Sequence, residues 1–480
     1  MIFSTIISSN KEKITKNLYL YFIAVFVVNF LLKINFLSFS SLWYDEIISV
    51  QSASLDFGHI KHVSEWDNNP PFYFYCLSVW IKLFNDSVFN IRLLSVIFSS
   101  LAAGFVFILA NNYFNRTTAI VSSILFLSSD ILFFYSHEAR AYSLILLLSL
   151  ISTYYYFKFK ETANLKYVVL LGIFNFLLVY THYISGIIIV FQSILMLIYF
   201  ERRKKKLFIY SLLISIGFAL LRFTKKQFLL IVAFNSSQKT FWLKKSDFNY
   251  LKEVLSEFLF SEYLVVISFI IIIVGFLLIK LKRIKEIEFH FIYFTLVGLG
   301  SIFLLYILGK LTPIFLDRYL IFSIPFILVL LAFSLSFIKY KIIPVSISVL
   351  LAIFFIPKIN FHTIKTMNYR DVACFVKNEK TNSDLIIVKT KDIAPLFCYY
   401  YDSKFLKEKK KELPKADNII FCNNWEDVYL DVTTFKRVIV IDSFQEYNAN
   451  ETDFVAKLTS HKKCYYASNF YKGVRITFYN

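Results

Sequence analysis

Long apolar runs broken by short polar stretches set the pattern of this chain. Runs able to cross ~30 Å of hydrocarbon fall at about 18–38, 92–110, 117–135, 141–157, 167–181, 184–200, 207–221, 263–279, 289–309, 319–338 and 342–357. They predict a bundle of about eleven membrane-spanning helices. The stretch 167–200 has no charge and is long enough to tempt a single-helix reading. However, Lys158, Lys160 and Lys166 precede it, and Glu201-Arg202-Arg203-Lys204-Lys205-Lys206 follow it. Two basic flanks belong on one side of a membrane, so two crossings are expected, with the turn near Thr181-His182-Tyr183. Residues 70–84 (PPFYFYCLSVWIKLF) are apolar but short and open on two prolines. They predict an interfacial helix rather than a span.

After Pro357 the pattern changes. Helical periodicity alternates with the short β-rich runs DLIIVKT, NIIFC, RVIVID and VRITFYN, which predicts a small α/β domain over 358–480. The expected fold class is therefore mainly α: a polytopic membrane helix bundle over 1–357, then a soluble α/β domain. Within the bundle, residues 39–90 form a first outer loop with interfacial helices. No internal repeat is visible, which weighs against a transporter built from related halves.

Composition supports the membrane reading. Hydrophobic residues make up 57% of the 480 and charged ones 18%, against roughly 45–50% and about 25% in soluble domains. Glycine is scarce, and neither G-x-G-x-x-G nor G-x-x-x-x-G-K-[ST] occurs. A P-loop or dinucleotide-binding enzyme is thus poorly supported, and no nucleotide cofactor is expected. No D-x-D pair is present to hold a metal-bound nucleotide sugar.

The net charge of +19 raises the question of nucleic acid, and its distribution answers against it. Residues 358–480 hold 20 Lys+Arg and 15 Asp+Glu. With the N-terminus cytoplasmic, the inner loops hold 18 Lys+Arg against 5 Asp+Glu, and the outer side of 1–357 holds 14 against 13. That asymmetry is the positive-inside pattern. It puts 39–90, 136–142, 222–262, 310–318 and the C-terminal domain on the outer face of a cytoplasmic (inner) membrane, and no nucleic-acid partner is expected. Residues 18–38 read as a retained anchor, because the run is too long for a signal peptide and no small-residue cleavage site follows. The five cysteines (Cys76, Cys374, Cys398, Cys422 and Cys464) have no metal-ligand spacing; an oxidising outer compartment permits a disulfide in the tail, and no pairing is fixed.

Ionisable groups beside lipid are costly, so their positions carry information. Asp45 and Glu46 are adjacent directly after the first span; they suit either a helix start or chemistry. The run Glu65-Trp66-Asp67-Asn68-Asn69-Pro70-Pro71-Phe72-Tyr73 follows, its prolines stiffening the approach to a helix. Arg92 opens the second span. Ser136-His137-Glu138-Ala139-Arg140-Ala141-Tyr142 closes the third, where Arg140 suits a lipid-linked phosphate. Asp130, roughly 12 Å deeper along a straight helix, is either a packing group or a functional one. His182-Tyr183 caps a later outer turn, and Asp317-Arg318-Tyr319 opens a late span. His59-x-x-His62, with His137 and His182, admits a histidine metal site, although no spacing fixes a third ligand.

Taken in order, WYDE, D-N-N-P-P-F-Y, R-L-L-S, H-E-A-R-A-Y-S-L, Y-T-H-Y and D-R-Y-L…P resemble the motifs of bacterial family 39 glycosyltransferases. These belong to the GT-C membrane class, with protein O-mannosyltransferases and the lipid A aminoarabinose transferase as relatives. The resemblance covers most of 40–330, and more loosely the tail as the outer α/β domain many members carry. It implies inverting transfer of a sugar from a polyprenyl-phosphate-linked donor to a lipid, glycan or protein acceptor at the outer face. Carried over by position, Asp45 would be the catalytic carboxylate, with Glu46 beside it and Glu138 in the second active-site motif. Arg140, Arg318 and Arg92 would bind the donor phosphate. Tyr142, His182, Tyr183, Asn69, Asp67 and Tyr319 would line the substrate site. Two departures stand out: Asn69 precedes the proline pair where relatives often have His or Lys, and Asp130 lies where a proline is common.

The chemistry follows independently from the residues. Single displacement at an anomeric carbon needs a carboxylate to take the acceptor proton and cations to hold the departing phosphate. Both kinds of group gather at one membrane face here. An acidic pair can use a divalent ion or work without one, so metal dependence stays open. A transporter of lipid-linked sugars and a non-catalytic envelope assembly protein are the competing readings. The segment 222–262 is expected to cover the site, with Lys225, Lys226, Lys244 and Lys245 toward lipid phosphates and Phe228, Phe241 and Trp242 at the interface.

Overall fold

The structure is a computed structural model that describes residues 2–63, 69–222, 246–312, 314–359, 368–389, 394–402, 418–422, 425–428, 432–443, 449–470 and 474–480. The chain divides into two compact units. One comprises Met1–Asn35, Lys61–Tyr73 and Arg92–Asn360; the other comprises Phe36–Ile60, Phe74–Ile91 and Phe361–Asn480.

In the first unit all eleven apolar runs are helical. Among the described residues four helices are long and apolar enough to cross a membrane: Val88–Tyr113, Glu262–Lys282, Lys285–Gly309 and Asp317–Leu335. The pair Arg116–Ser128 and Asp130–Ser136, bent by 64°, makes a fifth. Five further apolar helices, Leu18–Lys33, Phe72–Phe84, Leu165–Val179, Tyr183–Tyr199 and Ile342–Lys358, are 10–17 residues long, short of the ~20 a crossing needs. Length and composition thus give four or five spans where the hydropathy pattern predicts eleven. Outward-facing Val266, Ile270, Ile273 and Leu277 of Glu262–Lys282 suit a lipid-facing surface, and the protein is a multi-pass membrane protein.

The uncharged stretch 167–200 is two helices, α9 (Leu165–Val179) and α10 (Ile187–Tyr199), joined through a turn at Tyr183–Gly186. The preceding helix α8 (Tyr142–Thr162) ends on Ala163 in the left-handed region, φ 50°. Asn164 then caps α9 by accepting from the Lys166 N–H at 2.8 Å. The following helix, α11 (Arg202–Arg222), starts beside the end of α8, because Lys204 Nζ donates to the Lys160 carbonyl at 2.8 Å. The two basic flanks therefore meet at one end of the helices, as two crossings require. The expected straight helix over 117–135 is instead broken at Ser129, which leaves Asp130 at the start of the second piece, so the straight-helix depth does not apply to it.

Helices α9 and α11 touch at Gly172, where an added Cβ would lie 2.9 Å from the Ser211 carbonyl oxygen and from Ile214. Ser215 Oγ donates to the Gly172 carbonyl at 2.8 Å; small residues let backbones approach in this way. Deeper in the unit a closed polar ring joins four helices. Ser152 Oγ donates to Asn175 Oδ1 (2.6 Å), Asn175 Nδ2 to Gln192 Oε1 (3.0 Å), and Gln192 Nε2 to Ser152 Oγ (2.9 Å) and Tyr293 OH (3.3 Å). All four residues are fully buried. Around the ring, Tyr156, Phe157, Phe289 and Tyr293 pack ring against ring, using part of the chain's aromatic surplus.

The second unit contains a five-stranded sheet in the order β2-β1-β3-β5-β4, built from β1 (Asp384–Lys389), β2 (Ile419–Cys422), β3 (Arg437–Ser443), β4 (Cys464–Phe470) and β5 (Val474–Tyr479). Strand β1 pairs parallel with β2 and β3, while β5 pairs antiparallel with β3 and β4. Four of the strands are the four β-rich runs of the sequence; β4 is the one the pattern missed. Leu385, Ile387, Ile420, Val438 and Val440 bury against Phe454 and Leu458. Register places Asp384 opposite Arg437, whose guanidinium reaches the carboxylate at 2.6 Å. The five cysteines are free thiols in this structure.

Candidate active site

In the first unit, separate motifs of the sequence converge. The Phe72 N–H, at the end of D-N-N-P-P-F-Y, donates to the Tyr180 carbonyl of the Y-T-H-Y turn at 3.2 Å. Tyr73 OH lies 3.4 Å from Ser95 Oγ, one helical turn from Arg92. Arg92, Glu138, Arg140, Tyr142 and His182 are all buried, none more than 8% exposed. Residues 137–141 form the irregular link between α7 (Asp130–Ser136) and α8, with the Arg140 N–H donating to the Glu138 carbonyl at 2.8 Å. His137 Nε2 lies 2.7 Å from the Lys33 carbonyl oxygen.

His182 is the centre of the arrangement. Its ring lies 4.9 Å from the Tyr319 ring, over which the Arg318 guanidinium sits at 5.8 Å. Burial, and then the Arg140 and Arg318 cations, push the imidazole down to about 3. It is neutral at physiological pH, and the two guanidiniums are close enough to feel it. Tyr142 stacks edge-on against Tyr135 at 5.0 Å, and Tyr135 OH donates to Asp317 Oδ2. A buried cation, Arg140, a half-buried one, Arg318, a neutral imidazole and several tyrosines therefore gather in one place, an arrangement that can accept an anionic headgroup beside an aromatic sugar platform. Asn69, half-buried, ends the same stretch at Pro70, and Tyr183 opens the 3-10 turn after His182.

A cavity of about 1170 Å³ adjoins Tyr135 and Asp317. Its polar lining includes Asp130, Glu257, Glu262 and Lys358, and Phe134, Phe260, Tyr263 and Phe355 supply apolar walls. Glu257 belongs to α12 (Phe248–Phe258), capped by Asp247 accepting from Tyr250 N–H at 2.7 Å. Desolvation, and then the charges of Asp317, Glu253 and Asp130, raise its carboxyl to about 7. Tyr135 and Glu257 were not singled out from sequence. Tyr135 sits in a run of aromatics (FFYS) that reads as lipid-facing, and nothing local to Glu257 marks it.

The acidic pair belongs to the second unit, at the N-terminal turn of α2 (Tyr44–Ala53). Glu46 is fully buried and its Oε2 accepts from the Trp43 N–H at 3.3 Å, so it caps the helix. Asp45 stays half-buried. Asp67 lies outside the described residues, as do Lys225, Lys226, Lys244, Lys245, Phe228, Phe241 and Trp242 of the expected cover. Three of the four candidate histidines have separate partners: His59 Nδ1 meets Asp56 Oδ1 at 2.7 Å, His137 meets the Lys33 carbonyl, and His182 meets Tyr319; the His62 side chain lies outside the described ones. Among the described residues no three His, Cys, Asp or Glu side chains are grouped for a metal ion.

Residues 68–224 match the family model described as dolichyl-phosphate-mannose-protein mannosyltransferase. No curated protein matches the chain. The fold is similar to that of ArnT from Cupriavidus metallidurans. The apo structure aligns with a TM-score of 0.60 at 12% identity, over 96% of this chain and 98% of that one. The undecaprenyl phosphate-bound structure aligns with a TM-score of 0.55 at 11% identity, over 96% and 97%. The family-model match and the fold together bear out the resemblance read from the motifs, to GT-C membrane glycosyltransferases of the family 39 kind.

Proposed function

We propose that this chain is an inverting glycosyltransferase of the cytoplasmic (inner) membrane. It moves a sugar from a polyprenyl-phosphate-linked donor to a lipid, glycan or protein acceptor on the outer face. The N-terminus is cytoplasmic and the C-terminal domain lies outside, as the charge asymmetry argues. The observation that carries the reading is the gathering of buried Arg140 and His182 with half-buried Arg318 beside Tyr319, in a fold shared with a protein that binds undecaprenyl phosphate.

Arg140 and Arg318, with Arg92, hold the donor phosphate and stabilise the charge that grows on it as the glycosidic bond breaks. A neutral His182 donates or accepts a hydrogen bond without adding a further cation. Tyr142, Tyr183, Tyr319 and Asn69 line the sugar. Asp45 takes the proton of the attacking acceptor hydroxyl, while Glu46 fixes the helix that carries it and Glu138 orients Arg140 through the short link between them. Purified protein should release labelled polyprenyl phosphate from its sugar-linked form in the presence of envelope acceptors. Asp45→Asn should abolish turnover while undecaprenyl phosphate affinity survives. Full turnover in Asp45→Asn would remove the carboxylate from the mechanism, and sugar translocation without release would favour a transporter.

A further inference from the structure

The tail is more than an appendage, because it supplies hydrogen bonds to the segment that leads into the helix bearing Asp45. Between the end of α1 (Ile2–Lys33) and the start of α2, residues 34–43 form turns and irregular backbone. Phe36 adopts a positive φ of 61° there, a conformation that a bulky side chain disfavours. Backbone groups left without partners are costly, and three in this segment, the Ser38 and Ser40 carbonyls and the Leu42 N–H, meet side chains more than 300 positions away.

Arg370, in the first turn of α19 (Tyr369–Glu379), donates from Nη1 to the Ser38 carbonyl at 2.9 Å and from Nη2 to the Ser40 carbonyl at 3.0 Å. Tyr400, on α20 (Ala394–Tyr401), accepts the Leu42 N–H on its hydroxyl at 2.7 Å. Tyr399 OH donates to the Asp86 carbonyl at 2.5 Å. The two tail helices are tied together, since Lys377 Nζ donates to the Tyr400 carbonyl at 3.1 Å and the Arg370 guanidinium lies 5.8 Å from the Tyr400 ring. α2 packs against α20, with Leu42, Ile47 and Val50 fully buried. All of these residues belong to the second unit.

We infer that Arg370 and Tyr400 are positioning residues: the tail holds the 38–42 backbone and thereby sets the place of the α2 N-terminus and of Asp45. The inference rests on Asp45 being the base, and it gives the C-terminal domain a part in turnover without contact to substrate. A helix start fixed by two side chains can be loosened without unfolding it, and a displacement of about 1 Å at a reacting group costs on the order of 100-fold in rate.

The test uses the full chain in lipid nanodiscs, with Arg370→Ala, Tyr400→Phe and Arg370→Lys. Tyr400→Phe keeps the ring and deletes only the acceptor oxygen. Hydrogen–deuterium exchange over 42–53 should quicken in Arg370→Ala and Tyr400→Phe while α8 stays unchanged. Turnover should fall about 10- to 100-fold, undecaprenyl phosphate affinity should hold, and Arg370→Lys should recover part of both losses. Unchanged exchange over 42–53 in both variants overturns the inference. So does faster exchange with undiminished turnover in a chain whose Asp45→Asn variant is dead. Full turnover in Asp45→Asn itself would count against the base instead, and the exchange data would still decide whether the tail holds the helix.

Discussion

Replacing Arg140 or Arg318 tests the phosphate end of the site, and the structure sets the size of the effect. Arg140 is 8% exposed, so its contact with a bound phosphate would be shielded from water. A hydrogen bond to a charged group is worth about 1.5–3 kcal/mol, or roughly 10- to 150-fold in affinity. Arg140→Ala should therefore weaken undecaprenyl phosphate binding by about that factor. Arg140→Lys should recover only part of it, because an ammonium cannot make the two-pronged contact of a guanidinium. The double variant Arg140→Ala/Arg318→Ala should lose less than the product of the singles: each cation is partly opposed by the other until the anion arrives, and neighbouring sites couple. Binding measured in nanodiscs on protein matched for folded yield is the assay. Arg116→Ala serves as control, its guanidinium lying on the Tyr21 ring at 3.4 Å. Because burial is the larger cause of the low His182 value, the imidazole should stay neutral in the single variants, and affinity should show no histidine step between about pH 5 and 8. Unchanged affinity in both single arginine variants would refute the phosphate assignment.

Three other outcomes follow from the packing and the charges. Gln192→Leu strands Asn175 and Ser152 in an apolar core and should cost about 1–3 kcal/mol of stability. Ser152→Ala/Asn175→Leu/Gln192→Leu, which removes the three side chains together, should cost less than the sum of its parts, as thermal unfolding in detergent can measure. Glu257, raised to about 7, keeps its proton in the native state where the unfolded chain has released it. Its contribution is therefore present below the ordinary carboxylate value and lost as pH rises toward 7; Glu257→Gln should flatten that stretch of the stability–pH curve. At Asp384 burial pushes the carboxyl up, yet the hydrogen bonds from Arg437 and Thr381 prevail and hold it low. Arg437→Met should cost about 3–5 kcal/mol, and the wild-type advantage should shrink as acid protonates Asp384.

What could be read from the sequence is what local physics writes into it. Apolar runs and basic flanks gave the helices and the turn at Thr181–Tyr183, since a run near lipid needs little else to be helical. Alternating Ile and Val exposed β1, β2, β3 and β5, whereas β4, with Ala467-Ser468-Asn469 in its middle, has no such signal and is a strand because β5 offers it a partner. The arginines and His182 stood out because ionisable groups at span ends are costly.

The remaining features depend on backbone groups, which every residue shares and no motif marks. The kink at Ser129 has no proline to announce it. Glu46 caps a helix whose preceding residue is Trp43 rather than a Ser, Thr, Asp or Asn, so the usual signature is absent. The join of Phe72 N–H to the Tyr180 carbonyl, and of Arg370 to the carbonyls of Ser38 and Ser40, are likewise backbone contacts over long separations. Irregular segments beside a membrane have little water to satisfy them, so such segments must borrow donors and acceptors from distant parts of the chain. In this protein the borrowing occurs where the candidate chemistry lies. The 69–73 stretch is tied to the turn that carries His182, and the 38–42 stretch is tied to the tail. Each part of the proposed site is thereby held by a region that sequence order places far from it, which is why replacing a single tail arginine should be felt at a helix more than three hundred residues earlier.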